Sequence, residues 1–359
     1  MDPRPGMLLA ASIVGLLCAF GQARAGPEPF ESGARFGALA PLVWVLPGGE
    51  PLACGNELLP FDFDPRQRGY DSRSAFWMMW MAMRSFESGS AQTRAELASV
   101  GFDRYVALDN PFVGTQGFVA GSREAVIVAM RGSVDWIDYL VDFHFFLQPG
   151  APWGFAGRVH SGFANALSSV WGELERAVTE MTREGQVVWL TGHSMGGALA
   201  TLAAARLVGL GVRLGPLYTF AAPRPGDEEL CREVSDRLQG ELVRVVHGND
   251  LVPRLPPTSG AAESFSELLP LGLGKRFAQK LVREMRFAHP GSLLLLPATE
   301  PGLLSAQAAM DEDVSYWRDL TLQAAPQNFI EFIIALSRRQ TLLHNEKSYL
   351  CQLEQLLFP

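Results

Sequence analysis

The sequence is short of nearly every feature that would place it in a specialised class. It has 4 cysteines in 359 residues and no C-x-x-C pair, which argues against a disulfide-built scaffold and a cysteine zinc site. Basic residues are outnumbered, 30 Lys and Arg against 38 Asp and Glu. The net charge of −8 speaks against nucleic acid as a partner. No internal repeat or low-complexity tract stands out, so a solenoid or tethered array is not indicated. What the chain does have is apolar material: 48% hydrophobic residues with only 19% charged, enough for a large packed core.

The longest early apolar run, from Met7 to Phe20, is shorter than the ~20 residues a membrane-spanning helix needs. It follows Arg4 and precedes Ala23-Arg24-Ala25, the pattern of a secretory signal peptide cleaved after residue 25. An exported protein is expected, secreted or periplasmic, with peripheral membrane contact as an option. The mature chain would carry Cys54, Cys231 and Cys351, so one thiol stays unpaired, and the sequence does not say which. Residues 26–104 read as an ordered N-terminal extension. Within it Ser72 to Phe86 forms a helix whose aromatic and Met content suits core packing, with Ser72 or Ser74 as its cap.

Beyond residue 105 strands and helices alternate. Phe112–Ala120 and Glu124–Met130 suggest a hairpin. Apolar strands at Val187–Thr191, Leu217–Ala221, Leu242–Val246 and Leu293–Leu296 are interleaved with helices at Gly162–Thr182, Met195–Leu210 and Asp227–Gln239. This rhythm predicts an α/β fold with a mostly parallel sheet flanked by helices, and a ligand site beyond the carboxyl ends of the strands. Two segments interrupt it. Pro149–Gly157 carries Trp153 and Phe155 between glycines. Thr258–Arg286 contains the Leu-rich stretch Leu268–Leu273 and an amphipathic, cationic end. Either could shield an apolar site, and Pro149–Gly157 is the favoured one.

The segment Gly192-His193-Ser194-Met195-Gly196 is a G-x-S-x-G sequence directly after an apolar strand and directly before a helix. That context makes Ser194 a nucleophile held on a tight turn, with its hydroxyl lifted from the sheet and a helix N-terminus behind it. A serine hydroxyl needs a base and an orienting carboxylate, and in this architecture the acid and then the histidine follow the serine. Asp250, in a loop just after the strand at 242–246, fits the acid. Its competitor Asp227 better fits a helix cap. Of the two histidines downstream, His289 leads into a strand, at the wrong end of the sheet. His344, in a polar loop, is the expected base. His193 abuts the nucleophile, while His144, His160 and His247 read as packing or loop residues. The tetrahedral oxyanion would be met by the N–H of Met195 and by Ser133 in the turn Arg131-Gly132-Ser133.

Taken in order, these blocks resemble the class 3 lipases, the family of fungal triacylglycerol lipases and their bacterial and plant relatives. The similarity runs through Ala129–Ser133 with Asp135, Trp136 and Asp142, then Val159–Phe163, Gly192–Leu199, Tyr218–Arg224 and Asn249–Pro256. It ends with His344 followed by Tyr349-Leu350. The resemblance implies an α/β-hydrolase fold over residues 105–359 and hydrolysis of lipid esters at a lipid–water interface. It implies no cofactor and no metal, a triad of Ser194, Asp250 and His344, and an oxyanion hole of Ser133 and Met195. Phospholipase A1 and short-chain esterase activities are the alternatives within the chemistry. A non-catalytic lipid-binding protein is the alternative outside it.

Overall fold

The computed structural model describes residues 42–45, 51–54, 61–132, 146–248, 250–267, 279–280, 283–284, 286–296, 303–324 and 344–357. The expected signal segment, Ser133, His144, the Leu-rich stretch and most of the cationic end of 258–286 lie outside them.

Strands β1 (Leu42–Val45) and β2 (Pro51–Cys54) pair as an antiparallel hairpin. Helix α1 (Ser72–Arg84) is capped not by Ser72 or Ser74 but by Asp71, whose carboxylate accepts from the Ser74 N–H at 2.7 Å. Helix α2 (Ala91–Ser99) leads to the antiparallel strands β3 (Arg104–Asn110), β4 (Thr115–Gly121) and β5 (Ala125–Met130). Short strands β6 (Leu147–Pro149) and β7 (Arg158–His160) precede helix α3 (Ser161–Met181), strand β8 (Val187–His193) and helix α4 (Met195–Gly209). Then come β9 (Leu214–Phe220), β10 (Gly226–Asp227), α5 (Glu228–Leu238), β11 (Leu242–His247) and α6 (Ala262–Glu267). The described chain closes with β12 (Phe287–Ala288), β13 (Ser292–Leu296), α7 (Ala306–Ala324) and α8 (Glu346–Leu357).

Among the described residues the main sheet has the order β13-β11-β9-β8-β5-β4-β3. The run from β5 to β13 is parallel, and β4 and β3 add an antiparallel edge. This is the mostly parallel, helix-flanked sheet expected from the alternating elements, in the α/β-hydrolase arrangement that the resemblance implies. The central strands read as unbroken apolar runs because both faces are covered. Val126, Val128 and Met130 of β5, with Val188 and Leu190 of β8, pack beneath α3 and α4. The alternate residues Ala125, Ile127 and Ala129, with Val187 and Trp189, pack against α1 and α8. Helix α1 is therefore core, as its composition suggested: Met78, Met79, Met81 and Ala82 are fully buried.

Parallel register brings the strand ends together. Met130 pairs with Gly192, His193 with Phe220, and Val245 also with Phe220. The turns after β5, β8, β9 and β11 thus leave the sheet on one side, where a site can be assembled from four segments. A smaller sheet, β12-β10-β7-β6, accompanies the main one and was not evident in the sequence pattern.

Candidate active site

Ser194 stands between β8 and α4 with φ 55° and ψ −130°, a positive φ that a non-glycine residue adopts only when the surroundings enforce it. Its N–H donates to the Phe220 carbonyl at 2.8 Å, and its own carbonyl accepts from Gly197 at 2.9 Å. A β-carbon at Gly192 would collide with the Gly196 backbone, and one at Gly196 with the Met130 carbonyl. The two glycines are the steric condition for the turn, which explains their spacing about the serine.

His344, two residues before α8, places Nε2 2.9 Å from Ser194 Oγ and Nδ1 2.9 Å from Asp250 Oδ2. All three side chains are buried. Ionised Asp250 can only accept, so the imidazole proton sits on Nδ1 and Nε2 is left to accept from the serine hydroxyl. Asp250 Oδ1 accepts from the Val252 N–H at 2.9 Å, and Oδ2 also accepts from the Tyr349 hydroxyl at 2.7 Å. Burial alone would push the Asp250 pKa up. The charge and hydrogen bond of His344, joined by Tyr349 and Val252, outweigh it and hold the carboxyl below its ordinary range. Burial, and then the Asp250 charge, drive the Tyr349 pKa well above 10, so its hydroxyl remains a donor. Tyr349 in turn accepts from the His247 N–H at 2.9 Å, tying α8 to the end of β11.

Tyr349 is the part of the site that sequence reasoning did not assign. It was noted only as the residue that, with Leu350, follows His344 in the last matched block. Its place five residues beyond His344, in the first turns of the helix that follows, was the available signal. His193 packs against the His344 ring at 4.8 Å between centroids, with Phe86 and Tyr349 beside it. Burial, and next the neighbouring His344, push the His193 pKa well down, so it sits as a neutral ring.

The rejected candidates lie elsewhere. Asp227 caps α5 by accepting from Leu230 N–H at 3.0 Å and pairs with Arg158 at 3.2 Å. His289 meets the Pro253 carbonyl at 2.7 Å. His160 stacks on Phe163 at 4.1 Å. At the oxyanion side, Met195 is the first helical residue of α4, so its N–H belongs to the first turn, whose donors have no partner inside a helix. The turn after β5 passes close by: a β-carbon on Gly132 would lie 2.8 Å from the His193 carbonyl and 3.1 Å from Ser194 Cβ. Ser133, the next residue, is outside the described set.

The loop 149–157, favoured from the sequence as a shield, is fastened to its neighbours. Gly150 N–H donates to the Gly157 carbonyl at 2.9 Å, and the Trp153 indole donates to Ser168 on α3 at 2.7 Å. Phe155 is buried beneath the Arg237 guanidinium, which donates to the Gly154 carbonyl at 2.7 Å, while Glu233 takes the Ala156 N–H. Trp153 and Phe155 are thus fastened to α3 and α5. Of the cysteines, Cys231 is a buried free thiol and Cys351 is disulfide-bonded. Among the described residues no group of His, Cys, Asp and Glu is arranged to hold a metal ion. No helix there is long and apolar enough to cross a membrane.

Comparison with known proteins follows the same lines. The lipase (class 3) family matches residues 127–260. Secreted mono- and diacylglycerol lipase 1 of Fusarium solani is 35% identical over 159 residues, 44% of each chain. Phospholipase A1-II 4 of Oryza sativa subsp. japonica is 32% identical over 168 residues, 39% of this chain and 42% of that one. The chain spans less than half the length of these curated relatives. Lipase II from Rhizopus niveus, at 19% identity, shares the fold over 68% of this chain and 91% of its own, with a TM-score of 0.51. The matched segment holds the elbow of Ser194 and the loop of Asp250, and over it this chain is similar to the class 3 lipases.

Proposed function

We propose that this chain is an exported serine hydrolase of lipid carboxylic esters, with acylglycerols as its substrates. The observation that carries the reading is the buried, continuous hydrogen-bond chain from Ser194 Oγ through His344 to Asp250, set where the parallel strands end. In this mechanism Oγ attacks the ester carbonyl carbon while His344 Nε2 takes its proton. The carbonyl oxygen becomes an oxyanion, met by the Met195 N–H and by Ser133. Collapse expels the alcohol, which takes the proton back from His344, and leaves an acyl-enzyme on Ser194. Water then enters, gives a proton to His344 and attacks the acyl carbon. The fatty acid departs as the proton returns to Oγ. Asp250 keeps the imidazole in the required tautomer and stabilises the imidazolium of both half-reactions. The chemistry calls for no cofactor.

The acylglycerol assignment follows the name of the Fusarium relative. Its designation as secreted, together with the signal-like pattern of residues 1–25, supports export. In the same reading residues 105–359 form the hydrolase domain, and 26–104 are an extension whose helix α1 packs on the sheet. A phospholipase A1 activity is the second reading, favoured by the rice relative. Rates on triacylglycerol and diacylglycerol emulsions, phosphatidylcholine vesicles and a dissolved short-chain nitrophenyl ester test the choice. Acylglycerol turnover should exceed the others. Faster release of fatty acid from phosphatidylcholine would support the second reading, and no Ser194-dependent hydrolysis of any ester would overturn both.

A further inference from the structure

The loop that presents Asp250, residues 248–256, is held by more than its own backbone. Arg254 is buried, yet its guanidinium reaches back along the loop to the Gly248 carbonyl at 2.9 Å, so one side chain spans the residues on either side of Asp250. The same guanidinium grips both oxygens of Glu312 on α7, one arm at 2.6 Å, and lies over the Tyr316 ring at 4.4 Å. Arg224, arriving from the end of β9, takes the Arg254 carbonyl and, at 2.7 Å, the Pro256 carbonyl. Its other arm meets Asp313 at 2.7 Å. Thr258 donates to the second Asp313 oxygen at 2.9 Å, and His289 meets the Pro253 carbonyl at 2.7 Å. Neither arginine touches the reacting atoms.

We propose that Arg254, with Arg224 and the Glu312–Asp313 pair of α7, is a positioning device that fixes the reach of Asp250 to His344. A planar fork bound at two carboxylate oxygens sets distance and angle together, which a lysine ammonium does not. Stabilisation of a transient imidazolium depends steeply on that placement, because the benefit lies in a carboxylate already in place when the charge appears. The proposal rests on the serine hydrolase reading above.

Two variants test it in the full chain. Arg254→Lys keeps the charge and loses the fork. Glu312→Gln keeps the shape and loses the anion, at a side chain that is 21% exposed and tolerant of exchange. With active sites counted by fluorophosphonate titration, each should lower kcat per site on a dissolved short-chain ester at least tenfold. KM should stay within twofold. The downfield proton resonance of the His344–Asp250 hydrogen bond, recorded without substrate, should shift or broaden in both. Should Arg254→Lys fail to fold, Glu312→Gln decides alone. Wild-type kcat with an unmoved resonance would overturn the proposal. So would a loss of activity that merely follows the number of titratable sites. A wild-type chain that hydrolyses no ester but whose resonance moves in the variants would sink the hydrolase reading and leave the positioning role standing.

Discussion

Lowering the pH from 7 to 5 should destabilise this protein by at least about 2 kcal/mol through His160, with His193 and His289, which the fold also keeps neutral, acting in the same direction. Burial holds His160 at a pKa of about 3. Burial, and then the charge of His344, push His193 well below its ordinary value. Burial, and then Arg244 and Arg224, do the same to His289. In the unfolded chain each imidazole titrates near ~6.5. The folded values lie below the unfolded ones, so the unfolded state gains protons that the folded state refuses. Stability is complete above ~6.5 and is lost as the pH falls toward the folded values. At pH 5 His160 contributes about 2 kcal/mol of that loss relative to pH 7, and His193 and His289 add to it with the same sign. Asp250 is also depressed, but its contribution is intact above ~3.9 and begins to fail only below it, outside this window. Urea unfolding at the two pH values, read as a free-energy difference, is the assay. His160→Gln should narrow the gap by about 2 kcal/mol. A gap under about 1 kcal/mol, or three of these imidazoles titrating between pH 5 and 7 by NMR, would refute the reasoning.

Other changes have defined signatures. Tyr349→Phe removes a hydrogen bond to a buried carboxylate and orphans the His247 N–H. It should lower stability by about 3 kcal/mol in chemical denaturation and slow ester turnover several-fold. Trp153→Ser should cost about 2 kcal/mol and reduce activity on emulsified and dissolved esters alike, because the indole is bound to α3. A loss confined to the emulsion would restore a shielding role. His344→Ala should lower turnover by several orders of magnitude, whereas His289→Ala should retain most of it at neutral pH in soluble protein.

What could be read from the sequence follows from how local the determinants are. The elbow was legible because strand, glycines, serine and helix are contiguous, and each is required by one steric problem. Asp250 was legible because it follows an apolar strand, and His344 only through chain order. Asp71 was passed over as the helix cap because two serines beside it had equal claim. Non-local partners decided the rest. Trp153 and Phe155 between glycines look mobile until Glu233 and Arg237, some eighty residues onward, fasten their loop. The acidic run Asp311-Glu312-Asp313 looks like a solvated face, yet two of its carboxylates turn inward to buried arginines. Strand β3, at an edge and half-exposed, lacks the continuous apolar run that betrayed its neighbours.

The central claim is that Ser194, activated by His344 and Asp250, is the nucleophile of an ester hydrolase. The most direct measurement is mass spectrometry of the intact and digested protein after treatment with a fluorophosphonate. One adduct is predicted, on the peptide that contains Ser194. It should be lost in Ser194→Ala together with all ester hydrolysis while the fold is retained. An adduct on another residue, or hydrolysis that survives in the Ser194→Ala protein, would contradict it.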